Sequence, residues 1–105
     1  MKIYKKTKSF KVVKVIDEFT LVINIGSDDE IEKGQRFLVY SISPDDIIDP
    51  DTNESLGKLE IVKGTGTVTH VQEKMATIES SEKIFMIPRT SFTDPLVGDS
   101  VKRVP

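Results

Sequence analysis

The chain has 105 residues, no cysteine and a formal net charge of −2. That length is one domain's worth and enough to bury a core without covalent staples. The absence of cysteine excludes disulfide scaffolds, thiolate zinc sites, iron–sulfur clusters and cysteine nucleophiles. Ile and Val number 23 against six Leu and Ala, with nine Thr beside them. β-Branched side chains suit pleated, half-buried surfaces, whereas helices draw on Leu and Ala, so the composition reads as globular and mostly β. No apolar run approaches the ~20 residues that span a bilayer. The start, MKIYKKTKSF, has the basic residues of a signal peptide without an apolar stretch behind them. The expectation for the chain taken by itself is a cytoplasmic protein with no membrane span.

The first strand is expected over Ser9 to Asp17, and Glu18 and Phe19 form a tight turn. Thr20 to Ile25 runs back with Leu21, Ile23 and Ile25 on one face, the period-2 signature of a half-buried strand. Gly26 to Gly34 is an acidic loop whose one apolar residue, Ile31, plugs the end of the core; Asp29 to Lys33 has room for one helical turn. Arg36 to Ile42 is a third strand, which breaks at Ser43-Pro44-Asp45-Asp46. Ile47-Ile48 and Leu56 to Val62 flank Asp49-Pro50-Asp51-Thr52-Asn53-Glu54, a stretch of turn chemistry that predicts a hairpin arm. Gly64 and Gly66 mark a bulge or bend in the next run. Thr67 to Gln72 and Met75 to Ser80 form a further hairpin, and Asp99 to Val104 closes the fold. Short strands with turn signals at this spacing predict a small closed or partly open barrel of SH3-like or OB-like size. It would have about six mostly antiparallel strands and be a single domain over residues 1–105.

The chemistry-bearing patterns are weak. Asp49-x-Asp51-x-Asn53 has the spacing that opens a calcium loop, but Glu54 stands where the loop requires Gly and no Glu closes it. Lys63-Gly64-Thr65-Gly66-Thr67 lacks the Gly-Lys-Ser/Thr ending of a phosphate loop and leads into a strand. His70 is the one histidine and has no second imidazole or nucleophile pattern with it. No cofactor or metal and no catalytic set are implied, which leaves a non-enzymatic interaction or assembly module as the expected class.

Two segments are candidates for partner contact. Lys2, Lys5, Lys6, Lys8 and Lys11, with Tyr4 and Phe10 among them, give a modest version of the basic, aromatic surface that binds nucleic acid or another polyanion. The plainer reading makes such lysines the solvent face of an edge strand, where they discourage aggregation. Ser81 to Val97 is long for a connection and rich in apolar residues. It either covers the open end of the barrel or presents a surface for a protein partner or a second copy. In the second case Ile84, Phe85, Met86, Ile87, Arg89 and Phe92 carry the contact, and at least one of Phe85 and Phe92 is exposed in the isolated subunit.

The runs Val12-Val13-Lys14-Val15-Ile16-Asp17, Leu21 to Ser27 and Gly34-Gln35-Arg36-Phe37-x-Val39-Tyr40 resemble the C-terminal domain of the flagellar assembly protein T family. The resemblance continues through Asp49-Pro50-x-Thr52-Asn53-Glu54-x-Leu56-Gly57, Gly66 to Glu73 and Gly98-Asp99-x-Val101. It implies a small β-barrel that serves as a structural or interaction module and brings no catalytic residues. Glu30 and Asn53 stand where the family tends to have Gly.

Overall fold

A computed structural model describes residues 8–80 and 90–105 of the chain. The described residues form one antiparallel sheet of six strands and no α-helix. β1 (Val12–Asp17) and β2 (Thr20–Ile23) form the first hairpin, followed by a 3₁₀ turn at Ser27–Asp29. β3 (Arg36–Ile48) and β4 (Ser55–Val71) are long, and β5 (Ala76–Ser80) and β6 (Ser100–Val104) are short. The spatial order is β1-β2-β5-β4-β3-β6. The two outer strands meet at a single bridge, Lys11 with Ser100. Hydrogen bonds from Val12 N–H to Asp99 O and from Gly98 N–H to Val12 O flank it, each at 2.8 Å. The sheet therefore curls into a partly open barrel.

The core follows from the period-2 pattern. Leu21, Ile23 and Ile25 point inward with Phe37 and Val39 of β3, Val68 of β4 and Ile78 of β5. Ile31 is buried with them, so the acidic loop does plug one end of the core. The loop's own turn is Ser27–Asp29 rather than Asp29 to Lys33. It is braced by Asp29, whose carboxylate accepts from Gly26 N–H at 3.0 Å, and it ends at Glu30 with φ 64°.

Phe92 completes the core from a segment outside the sheet. Its N–H donates to Glu18 O, and the next residue's N–H, on Thr93, donates to Lys63 O, each at 2.8 Å. The ring lies against β4 where Gly64 and Gly66 leave room. A Cβ on either glycine would come within 3.0 Å of it, and Gly64 also has φ 140°. Glycine is required here for the close approach of an aromatic ring.

β3 and β4 run past the barrel. β6 leaves β3 at the pair Tyr40–Ser100, and β5 leaves β4 at Gly66–Ser80. Beyond Tyr40–Val62 the two long strands pair only with each other, out to a turn at residues 49–54. Eight residues of strand, Ser55–Val62, make an arm about 25 Å long at ~3.3 Å per residue. The radius of gyration is 16.1 Å and the longest extent 56 Å, against about 13 Å of gyration radius for a compact chain of this size. The break expected at Ser43 to Asp46 is a change of register rather than an end of the strand. Pairing moves from Ile42–Glu60 to Asp46–Lys58, so β3 carries two extra residues there. Pro44, which has no N–H to give the ladder, sits in this bulge. Side chains stitch the gap. Leu59 N–H donates to Ser43 Oγ at 2.9 Å, and Lys58 Nζ donates to Pro44 O at 2.9 Å.

Candidate functional site: an arm and the cleft at its root

The arm is built from both strands and carries apolar side chains that reach no core. Ile42, Ile47 and Ile48 on β3 and Leu56, Leu59, Ile61 and Val62 on β4 are each 45–62 % exposed. They lie on both surfaces of the ribbon. Val62 pairs with Tyr40 and Ile61 with Ser41, and adjacent pairs on a strand face opposite ways. A two-stranded ribbon with no third layer is marginally stable in water, and large apolar exposure on a small protein is a mark of an interaction site.

Charge is segregated with it. Residues 41–62 hold six carboxylates and one lysine, a formal −5, which leaves +3 on the rest of a chain totalling −2. Asp46 is paired with Lys58 at 3.4 Å, and Glu60 with Lys102 of β6 at 2.8 Å. Lys102 also lies 4.8 Å from the centre of the Tyr40 ring. The Glu60 hydrogen bond is the main cause that holds the Lys102 ammonium above the ordinary lysine value of 10.5. At the tip, the Asp49 carboxylate accepts from Asp51 N–H at 2.8 Å, and Asn53 takes φ 60°. The spacing that opens a calcium loop is used here to close a turn.

The arm's direction is fixed at its root. Val39 pairs with Gly64 and Tyr40 with Val62, so Lys63 is the extra residue of a bulge. Its side chain is buried and its Nζ lies 2.9 and 3.0 Å from the two Asp99 oxygens and 2.8 Å from Asp94 O. Asp99 also accepts from Leu96 N–H at 2.8 Å. The arm is thereby bolted to the loop that leads into β6.

An open cleft of about 360 Å³ lies at the arm's root, where residues 8–11 pass Ser100 beside Tyr40 and Ile42. Two of the lysines singled out in the sequence, Lys8 and Lys11, line it together with Phe10. Lys8 is ion-paired with Asp29 at 3.1 Å, and Lys11 Nζ donates to Ser100 Oγ at 3.1 Å. Lys2, Lys5 and Lys6 lie outside the described residues, as do Ile84, Phe85, Met86, Ile87 and Arg89 of the other candidate segment. Phe92, the remaining member of that set, is 2 % exposed and belongs to the core. His70 is exposed on β4. Sequence reasoning anticipated the hairpin but not its exposure. The available signal was the adjacent apolar pairs Ile47-Ile48 and Ile61-Val62, which no ribbon can hide on one face.

No family model and no curated protein matches the chain, so the resemblance to the flagellar assembly protein T family rests on the quoted residues alone. No helix among the described residues is long and apolar enough to cross a membrane.

Proposed function

We propose that this chain is a non-enzymatic interaction and assembly module, with the β3–β4 arm as its working part. The observation that carries the reading is the set of seven half-exposed aliphatic side chains on a ribbon that no other described element covers. Edge strands left bare in monomers are usually short, charged or bulged, because open backbone edges pair with other chains. This arm is charged and bulged too, yet it is long, its register shift between Ile42 and Asp46 is stitched by side chains, and its root is held in place by a buried ion pair. Such construction suits a surface that a partner covers.

The test is photocrosslinking inside cells that make the protein. A photoreactive side chain at Leu59, on the arm, is compared with one at Lys74, in the turn between β4 and β5. Discrete protein adducts at Leu59 and none at Lys74 support the reading; equal labelling at the two positions, or none, overturns it.

The cleft favours a second reading, binding of a nucleic acid or other polyanion by Lys8 and Lys11 with Phe10 and Tyr40 as stacking surfaces. Counterion release makes that binding fall steeply with salt. Oligonucleotide titration at two salt concentrations decides it, since binding that ignores salt, or fails at low salt, removes it.

A further inference from the structure

We infer that the arm takes a basic amphipathic helix of another protein, seated on the face that carries Leu59 and Ile61 and ending against Leu96 and Val97. The inference rests on the arm being a docking device and adds which face docks and what chemistry it receives.

The face follows from the register. Phe37 and Val39 point into the core, and β3 pairs with β6 without a shift from Arg36 to Tyr40. Ser41 is the next residue on that inner side, and it pairs with Ile61. Ile61, and Leu59 two positions along, therefore continue the inner surface of the barrel past its end. The loop at residues 94–99 crosses that end. It sets out from β4, where Thr93 N–H donates to Lys63 O, and finishes at β1, where Gly98 N–H donates to Val12 O. Its Leu96 and Val97 are 53 and 66 % exposed. Leu59, Ile61, Leu96 and Val97 thus line a corner between the arm and the end of the barrel. The opposite face of the arm is already partly covered. Tyr40 and Val62 pair there beside Glu60, and Lys102 is bound to Glu60 and set over the Tyr40 ring.

Shape and charge select the occupant. An added strand would take the edge of the ribbon and leave its apolar face in water. A helix, about 10 Å across, covers a face two strands wide. About 17 residues of helix match a strip of about 25 Å at ~1.5 Å rise per residue. Asp46 and Glu60 have lysine partners, whereas Asp45, Asp49, Asp51 and Glu54 have no cation partner among the described residues. These free carboxylates favour lysine and arginine on the flanks of the helix, and they repel nucleic acid and anionic lipid. A second arm is repelled in the same way. The described residues outside the arm hold nine basic and ten acidic side chains, so the barrel of another copy offers no positive excess in compensation.

Two synthetic helices of about 17 residues serve as probes. One has leucine at three- and four-residue spacing and lysine elsewhere, and the other has glutamate for every lysine. Fluorescence anisotropy compares the parent with an inner-face variant, Leu59→Ser with Ile61→Ser, and an outer-face variant, Ile42→Ser with Val62→Ser. Circular dichroism checks that the variants remain folded, and Val97→Ser in the loop replaces the inner-face variant if that one does not. The lysine helix is expected to bind the parent and the glutamate helix to fail. The inner-face and loop variants should each weaken binding about tenfold or more, since burying one Leu or Val side chain is worth that much. The outer-face variant should bind as the parent does. A lysine helix that does not bind, a glutamate helix that binds as well, or equal weakening by the two faces overturns the inference. Sequencing the peptide crosslinked at Leu59 in cells separates the two readings. A basic segment with apolar residues every three or four positions supports both. An acidic segment, or a peptide of this same chain, leaves the docking device standing and eliminates the basic helix. No adduct at Leu59 eliminates both.

Discussion

Lys63 and Asp99 are 36 residues apart in sequence and form a two-oxygen ion pair with side chains 9 and 6 % exposed, at the point where β4 leaves the barrel. The pair has to exist once either partner is buried. A lone ammonium or carboxylate there would lose its hydration with only a hydrogen bond to the backbone of Asp94 or Leu96 in return. Lys63→Met and Asp99→Leu are each expected to destabilise the fold by about 3–5 kcal/mol, as removal of one member of a buried pair does. Lys63→Met combined with Asp99→Leu should lose less than the sum of the two. Urea unfolding of the four proteins provides the comparison, and additive losses would show that the two groups act independently.

The contact of Phe92 with Gly64 and Gly66 makes a paired prediction. Phe92→Ala empties a filled site and should cost about 3–5 kcal/mol. Gly66→Ala overfills the same site, since its Cβ would stand 3.0 Å from Phe92 and 3.1 Å from Ile78, and about 1–3 kcal/mol is expected. Thermal melting reads both. An unchanged midpoint for Phe92→Ala would place the ring outside the core.

Ile31 is the apolar residue of the loop from Gly26 to Gly34 and is buried in the core cluster. Ile31→Ala should cost about 2–5 kcal/mol in denaturant unfolding. A loss under about half a kcal/mol, the range of surface substitutions, would mean that the loop is merely solvated.

Lys102 supplies a pH dependence. Its folded value is raised, chiefly by the hydrogen bond to Glu60. A raised lysine contributes stability that is fully present below the ordinary value of 10.5 and is lost as pH climbs through the folded value. Titration of Lys102 by NMR should therefore give a midpoint above that of an exposed lysine, and Glu60→Gln should bring it down. Equal midpoints in the parent and the Glu60→Gln protein would show that the hydrogen bond does not persist in solution.

Much of this architecture was legible because strands announce themselves by alternation. Leu21, Ile23 and Ile25 identified an inward face, Gly64 and Gly66 identified the bend, and the Asp49 to Glu54 turn identified a hairpin. Pro44 misled only in degree. It does break the ladder, but the chain stays extended and pairing resumes at Asp46–Lys58 with two extra residues on β3. The 3₁₀ turn is two residues earlier than expected, since the Asp29 carboxylate reaches back to Gly26 N–H. The site was less legible. An apolar residue in an alternating strand looks the same whether a second layer covers it or water does, and only the three-dimensional order of strands reveals that β5 and β6 stop before Ile61 and Ile42. Phe92 was grouped with a surface segment because its neighbours are apolar, whereas the two glycines that receive it lie 26 and 28 positions away along the chain.

The arm and the barrel share the same two strands, so there is no linker between them to absorb a load. β3 and β4 lie side by side in the sheet, with β5 and β6 on their outer sides. A pull on the tip along the arm is borne by the rows of hydrogen bonds that join β4 to β5 and β3 to β6. Those rows would have to slide together rather than open one at a time. The molecule is in this respect a beam set in its own wall, and the strands that a tug at residues 49–54 would load are the ones that carry Phe37 and Val68.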